Sequence, residues 1–185
     1  MKSRYQENTP KEQPPFAAHF GRLVGITDLG LRPEFTWQGK LCKSEYCLEL
    51  TYELVNALME DGRPFHVSEQ VTNKLTKNPQ GDLVSKLTRR VQATAADPDN
   101  ISSMLGQTCM ITLTEKDNGY PKISEVNQVP QGVPVKELVN DTWVFDLDEP
   151  DVAMFLDLPE FKRMRIQENL EFEGSLLQIG LDRIS

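Results

Sequence analysis

The chain lacks what a membrane span, a metal centre or a phosphate-cradling loop would need. No apolar run approaches the roughly 20 residues of a membrane-crossing helix. Residues 1–15 hold no apolar stretch like that of a secretory leader, so a cytoplasmic protein is expected, in the host cytoplasm if the source is viral. Cysteines are few: Cys42, Cys47 and Cys109, with no CxxC pair and only two histidines in the chain. That argues against a disulfide framework and a zinc site, and predicts reduced thiols. The motifs G-x-x-x-x-G-K-[ST], G-x-G-x-x-G and G-x-S-x-G are all absent. His19 and His66 have no nucleophile beside them in the sequence. Asp146, Asp148 and Asp151 open like a calcium loop, but its sixth and twelfth positions, Gly and Glu in the motif, are Asp151 and Asp157. Glu45, Glu49 and Glu53 share one strand face without a second cluster to complete a nuclease centre. The expectation is a non-enzymatic protein with no cofactor and no metal.

What is present is an uneven charge. Residues 1–92 hold 13 Lys and Arg against 11 Asp and Glu; residues 93–185 hold 7 against 17. The formal net charge is −8. A locally basic surface with an acidic flank fits this division better than a surface basic all over. Hydrophobic residues make up 38% and mean hydropathy is −0.46, so part of the chain is expected to lie outside the core.

Periodicity orders the chain. Residues 1–15, with Pro10, Pro14 and Pro15, read as a flexible tail. Phe20 to Asp28 reads as a strand whose Gly21 and Gly25 suggest a bulge or bend. Tyr46 to Val55 alternates cleanly, with Leu48, Leu50, Tyr52 and Leu54 on one face and Cys47, Glu49, Thr51 and Glu53 on the other. After the turn Asp61-Gly62-Arg63-Pro64, Phe65 to Leu75 alternates again. Leu83, Val84, Leu87 and Val91 give a helical stripe over 82–93, with Asp82 as N-cap and Lys86, Arg89 and Arg90 off the stripe. Thr108 to Glu115 and Tyr120 to Val129 flank an Asn-Gly hairpin turn. Beyond Gln131, Thr142 to Leu147 reads as a further strand. Pro159 to Phe172 reads as a helix docked by Phe161, Ile166, Leu170 and Met164.

Three strands, a helix and two strands are the order of an OB-fold, a five-stranded Greek-key barrel that binds oligonucleotides and oligosaccharides on its strand 2–3 face and loops. The fold class expected is mainly β with short helices: an OB-like barrel over 16–130, with another small barrel or sandwich as the alternative, and an acidic strand and helix extension over 131–185 packed on the barrel or on a partner subunit.

Binding a single strand without sequence preference needs a positive groove for phosphates and aromatic faces for bases. The loop Leu29 to Glu45 supplies both, with Arg32, Lys40 and Lys43 around Phe35 and Trp37. Arg22, Lys74, Lys77, Lys116 and Tyr120 complete the expected set. Trp37 reads equally as a stacking platform and as a plug at the barrel end; Phe35 leans towards the plug. Glu49 and Glu53 conflict with a phosphate-binding face on the second strand, unless cations pair with them across the sheet or the nucleic acid runs along the loops.

The chain resembles the single-stranded-DNA-binding proteins that tailed bacteriophages encode among their replication and recombination genes. The residues that carry the likeness are Val24-Gly25-Ile26-Thr27-Asp28-Leu29-Gly30, Gln38-Gly39-Lys40, Glu49-Leu50-Thr51-Tyr52-Glu53-Leu54, Asp61-Gly62-Arg63-Pro64-Phe65, Gly106 with Cys109, and Phe145-Asp146-Leu147-Asp148. They span about residues 20–160 and are structural punctuation rather than catalytic signatures. The resemblance implies a protein that coats and protects single-stranded DNA, with a possible homo-oligomer and no membrane partner. Many such proteins end in an acidic recruiting tail, whereas this chain ends Leu181-Asp182-Arg183-Ile184-Ser185. Its acids lie earlier: Asp141 to Glu160 holds seven and no base, and would recruit replication or recombination proteins if anything here does. The alternative is a structural or adaptor protein of a phage assembly, whose barrel contacts protein.

Overall fold

The computed structural model describes residues 12–75 and 85–184. Its main sheet is antiparallel and runs in the order β5-β4-β1-β6-β7. The strands are β1 (Ala18–Arg32), β4 (Glu45–Leu58), β5 (Pro64–Thr72), β6 (Thr108–Glu115) and β7 (Pro121–Asn127). A separate hairpin joins β2 (Phe35–Trp37) to β3 (Lys40–Cys42). β8 (Trp143–Phe145) adds to β1 in parallel. The helices are α1 (Lys86–Ala93), α2 (Val152–Asp157), α3 (Glu160–Gln167) and α4 (Leu176–Asp182).

β1 holds the molecule together by changing partners. Its first residues, Ala18 to Arg22, pair with β6; Gly25 to Thr27 pair with β8 along the same edge. Between them the register against β4 slips from Leu23 to Gly25, a bulge that bends the strand and re-aims its edge. Gly25 matters for a second reason. A Cβ there would stand 2.1 Å from the Trp143 ring, so only glycine lets the indole lie on the strand.

Alternation built the core as expected. Leu48, Leu50, Tyr52 and Leu54 of β4 and Phe65, Val67 and Val71 of β5 are buried with Leu87 and Val91 of α1. Burial pushes the Cys109 thiol up to about 12, so this core cysteine is an inert thiol. A second apolar cluster joins Leu29 and Cys47 of the sheet to Phe145, Phe155, Leu158, Ile166 and Leu177 of the extension.

Several expectations need correction. The α1 cap is Ser85, whose Oγ accepts the Thr88 N–H at 3.1 Å; Asp82, Leu83 and Val84 lie outside the described residues. Arg90, read as lying off the stripe, is buried and paired with Glu69 of β5, which is buried with it. The 29–45 segment is not one loop: β1 and β4 extend into it and the β2–β3 hairpin fills the rest. In the extension, Ile166 docks fully, while Phe161, Met164 and Leu170 are each more than half exposed. The helix read over Pro159 to Phe172 is shorter, α3 ending at Gln167, and two further short helices flank it: α2, capped by Asp151, and α4, which follows Gly174 at positive φ.

Candidate nucleic-acid interface

The β2–β3 hairpin turns on Gln38-Gly39, both at positive φ (48° and 76°). That is the two-residue turn whose twist suits a tight hairpin, and glycine supplies the second left-handed position. It sets Trp37 opposite Lys40 and Phe35 opposite Cys42. Opposed residues share a face, so Phe35, Trp37 and Lys40 project together. Neither ring belongs to a core cluster: Phe35 is 38% exposed and Trp37 is 63% exposed. The plug reading for Phe35 is thereby corrected, since β1 and β4 close over their own apolar residues instead.

Arg32 ends β1 with its guanidinium 4.3 Å from the centre of the Phe35 ring and 3.7 Å from Glu45. Arg32, Phe35 and Trp37 line a cavity of about 430 Å³ together with Gln70 of β5 and Arg165 of α3. Cation and ring are in the mutual arrangement that favours stacking. Lys40 and Lys43 are exposed on and just after the hairpin.

The remaining expected residues are dispersed. Arg22 is committed to the fold: its guanidinium donates to the carbonyls of Gly106 (2.7 Å), Val135 and Lys136 (2.8 Å), and pairs with Glu137. Lys74 is exposed after β5, and its carbonyl accepts the Ser85 hydroxyl. Lys116 and Tyr120 are exposed on the β6–β7 hairpin. That hairpin sits by the start of β1, where Ala18 pairs with Thr112, while the β2–β3 hairpin sits by its end. Neither Lys74 nor the Lys116–Tyr120 pair lines the Phe35–Trp37 cavity. Lys77 lies outside the described residues.

The conflict over Glu49 and Glu53 is resolved chiefly from the extension, with His66 of β5 alone reaching across the sheet, 3.4 Å from Glu53. Both are buried, at 4% and 0% exposure, because the extension covers that face of β4. Lys162 of α3 places its Nζ 2.5 Å from Glu49 Oε1. The Val139 N–H donates to Glu53 Oε1 at 2.6 Å, and the Asn140 side-chain amide donates to Oε2 at 2.6 Å. Burial pushes the Glu53 carboxyl up, but these donors and His66 outweigh it and hold the group below its ordinary value. Asp28, beside Asp146 and Asp148, goes the other way: burial first, then the two neighbouring charges, raise it.

The outer face of β5 remains open. His66 and Ser68 on it meet Thr51 of β4, and the Thr51 and Ser68 hydroxyls lie 3.0 Å apart. Sequence reasoning missed Arg165, Trp143 and Phe161 as possible site residues. One signal was available: Lys162, Arg163 and Arg165 are three of only seven basic residues in the acidic half.

Among the described residues no group of His, Cys, Asp and Glu could hold a metal ion, and no helix is long and apolar enough to cross a membrane. No protein-family model, curated protein or solved structure matches the chain.

Proposed function

We propose that this chain binds single-stranded DNA without catalysis and coats it during phage replication or recombination. The observation that carries the reading is the exposed pair Phe35 and Trp37, set on one face of a short hairpin beside Arg32, Lys40 and Arg165. Exposed rings cost solvation unless something covers them, and a base offers a flat face to each. The sheet order supports the same reading. The order β5-β4-β1-β6-β7, with α1 packed against both edge strands β5 and β7, is compatible with the strand order of an OB-fold whose sheet does not close.

Fluorescence anisotropy with labelled oligo-dT tests the proposal. About three to five phosphate contacts would give a slope of log K against log[salt] of roughly −2 to −4, at about −0.7 per contact for single strands. A flat salt response, or tighter binding to duplex, removes the reading. The alternative of a phage adaptor has its own observation: Leu156, Met164 and Ile179 of the extension are exposed apolar side chains. Absence of oligo-dT binding would favour it.

A further inference from the structure

A second cavity lies on the outer β4–β5 face, about 650 Å³ in volume, within the roughly 300–1,000 Å³ of small-ligand sites. Its floor is the sheet: the Thr51 and Ser68 hydroxyls, hydrogen-bonded to each other, with His66 beside them. Its walls come from the extension, chiefly the Trp143 indole and the Phe161 ring. Trp143 is fixed, since it lies against Gly25 with the Lys162 ammonium 5.3 Å from its ring centre. Phe161 is 54% exposed although it sits on a helix whose neighbour Ile166 is fully buried. Rings over a floor of hydroxyls are a composition that suits a nucleobase, with an apolar face and a hydrogen-bonding edge.

The cavity and the hairpin site draw on the same two elements, α3 and β5. α3 walls both, with Phe161 and Lys162 at one end and Arg165 at the other. Ser68 lines the second cavity and Gln70 lines the first, and they stand two residues apart on one strand face.

Resting on the single-strand reading above, we infer that this cavity receives one unpaired nucleobase between Trp143 and Phe161, so that the extension builds half of the binding track. The base edge meets the Thr51 and Ser68 hydroxyls, each of which can donate or accept. Such a pair tolerates several bases, in keeping with coating rather than sequence reading. The extension is thereby a part of the binding surface, not only an acidic flank.

Two measurements test this on the full chain with an oligo-dT of about 12 nucleotides, inside the usual range for one such fold. In Trp37→Phe, which keeps a ring on the hairpin, Trp143 is the sole tryptophan, and its emission should be quenched as oligo-dT binds. Phe161→Ala should weaken binding roughly ten- to hundred-fold, the range for one stacked base, with an unchanged circular dichroism spectrum; Phe161→Tyr should restore most of the loss. Oligo-dT binding that is salt-dependent and sensitive to Trp37→Ala, yet silent at Trp143 and within twofold in Phe161→Ala, overturns this inference and leaves the single-strand reading standing. Failure of the unmodified chain to bind oligo-dT overturns both.

Discussion

On the inner side of the β4–β5 pair, Glu69 is neutralised by charged side chains: Arg90 donates to both carboxylate oxygens at 2.6 and 2.9 Å, and Lys86 lies 2.6 Å away. On the outer side, Glu49 receives one ammonium, and Glu53 receives amide groups and an imidazole. The partners differ in origin as well. Arg90 lies 21 residues from Glu69, whereas Val139 lies 86 from Glu53. A fourfold longer loop costs about 1 kcal/mol more to close. The inner contact therefore joins elements near in sequence, while the outer contacts other than His66 fasten a distant segment onto the sheet. The difference teaches that one strand pair buries acids on both faces by recruiting partners from different parts of the chain.

The largest test of that contrast is Arg90→Met. It leaves Glu69 in the core with Lys86 as its only cation among the described residues, and should cost about 3 kcal/mol in urea unfolding. A loss under about 1 kcal/mol would mean that Lys86 alone suffices and that the two faces are less different than their geometry implies.

Lys162→Met strikes the outer face. An unpaired Glu49 beneath the extension should cost about 2 kcal/mol, less than on the inner face because the extension can lift and admit water. The double variant Glu49→Gln with Lys162→Met should recover most of the loss, with the coupling read from a double-mutant cycle. Simple additivity would show that the pair does not act as one.

Acid should act on both faces. Burial pushes the Glu69 carboxyl up, but the Arg90 and Lys86 contacts outweigh it, so Glu69, like Glu53, is held below the ordinary 4.5. A lowered carboxylate contributes stability that is present above the unfolded value and lost as pH falls through the folded one. Stability should therefore fall as pH drops below about 4.5, and Glu53→Gln should flatten part of the slope. Asp28, raised by burial, opposes this trend, since its protonated form is favoured in the folded state. Chemical unfolding between pH 3 and 6 would show it; a slope that Glu53→Gln leaves unchanged would assign the acid sensitivity to the inner face alone.

The smallest effect on stability is expected at Trp37→Ala, within about 0.5 kcal/mol, because the ring touches no core cluster. Its affinity for oligo-dT should still drop by about 1–3 kcal/mol. Marked destabilisation in thermal unfolding would return Trp37 to the structural role that its sequence position left open.

Local pattern determined the strands and their inner faces. Period-two alternation places Leu48 to Leu54 and Phe65 to Val71 on one side whatever happens elsewhere, and the Asn-Gly turn fixes the β6–β7 hairpin through its left-handed glycine at φ 79°. The i, i+2 spacing of Phe35 and Trp37 likewise put both rings on one side of a short strand. Tertiary structure alone decided which polar face would be covered. Glu49 and Glu53 read as a conflict on an open face because the distant groups that bury them, Val139, Asn140 and Lys162, are 86 or more residues away and show no periodic signal. The same holds for Arg22, whose cationic head was read as a phosphate ligand and instead holds the 135–137 backbone. Spacing along a chain reports what neighbours do to each other; the burial of a charge depends on which distant segment arrives to satisfy it.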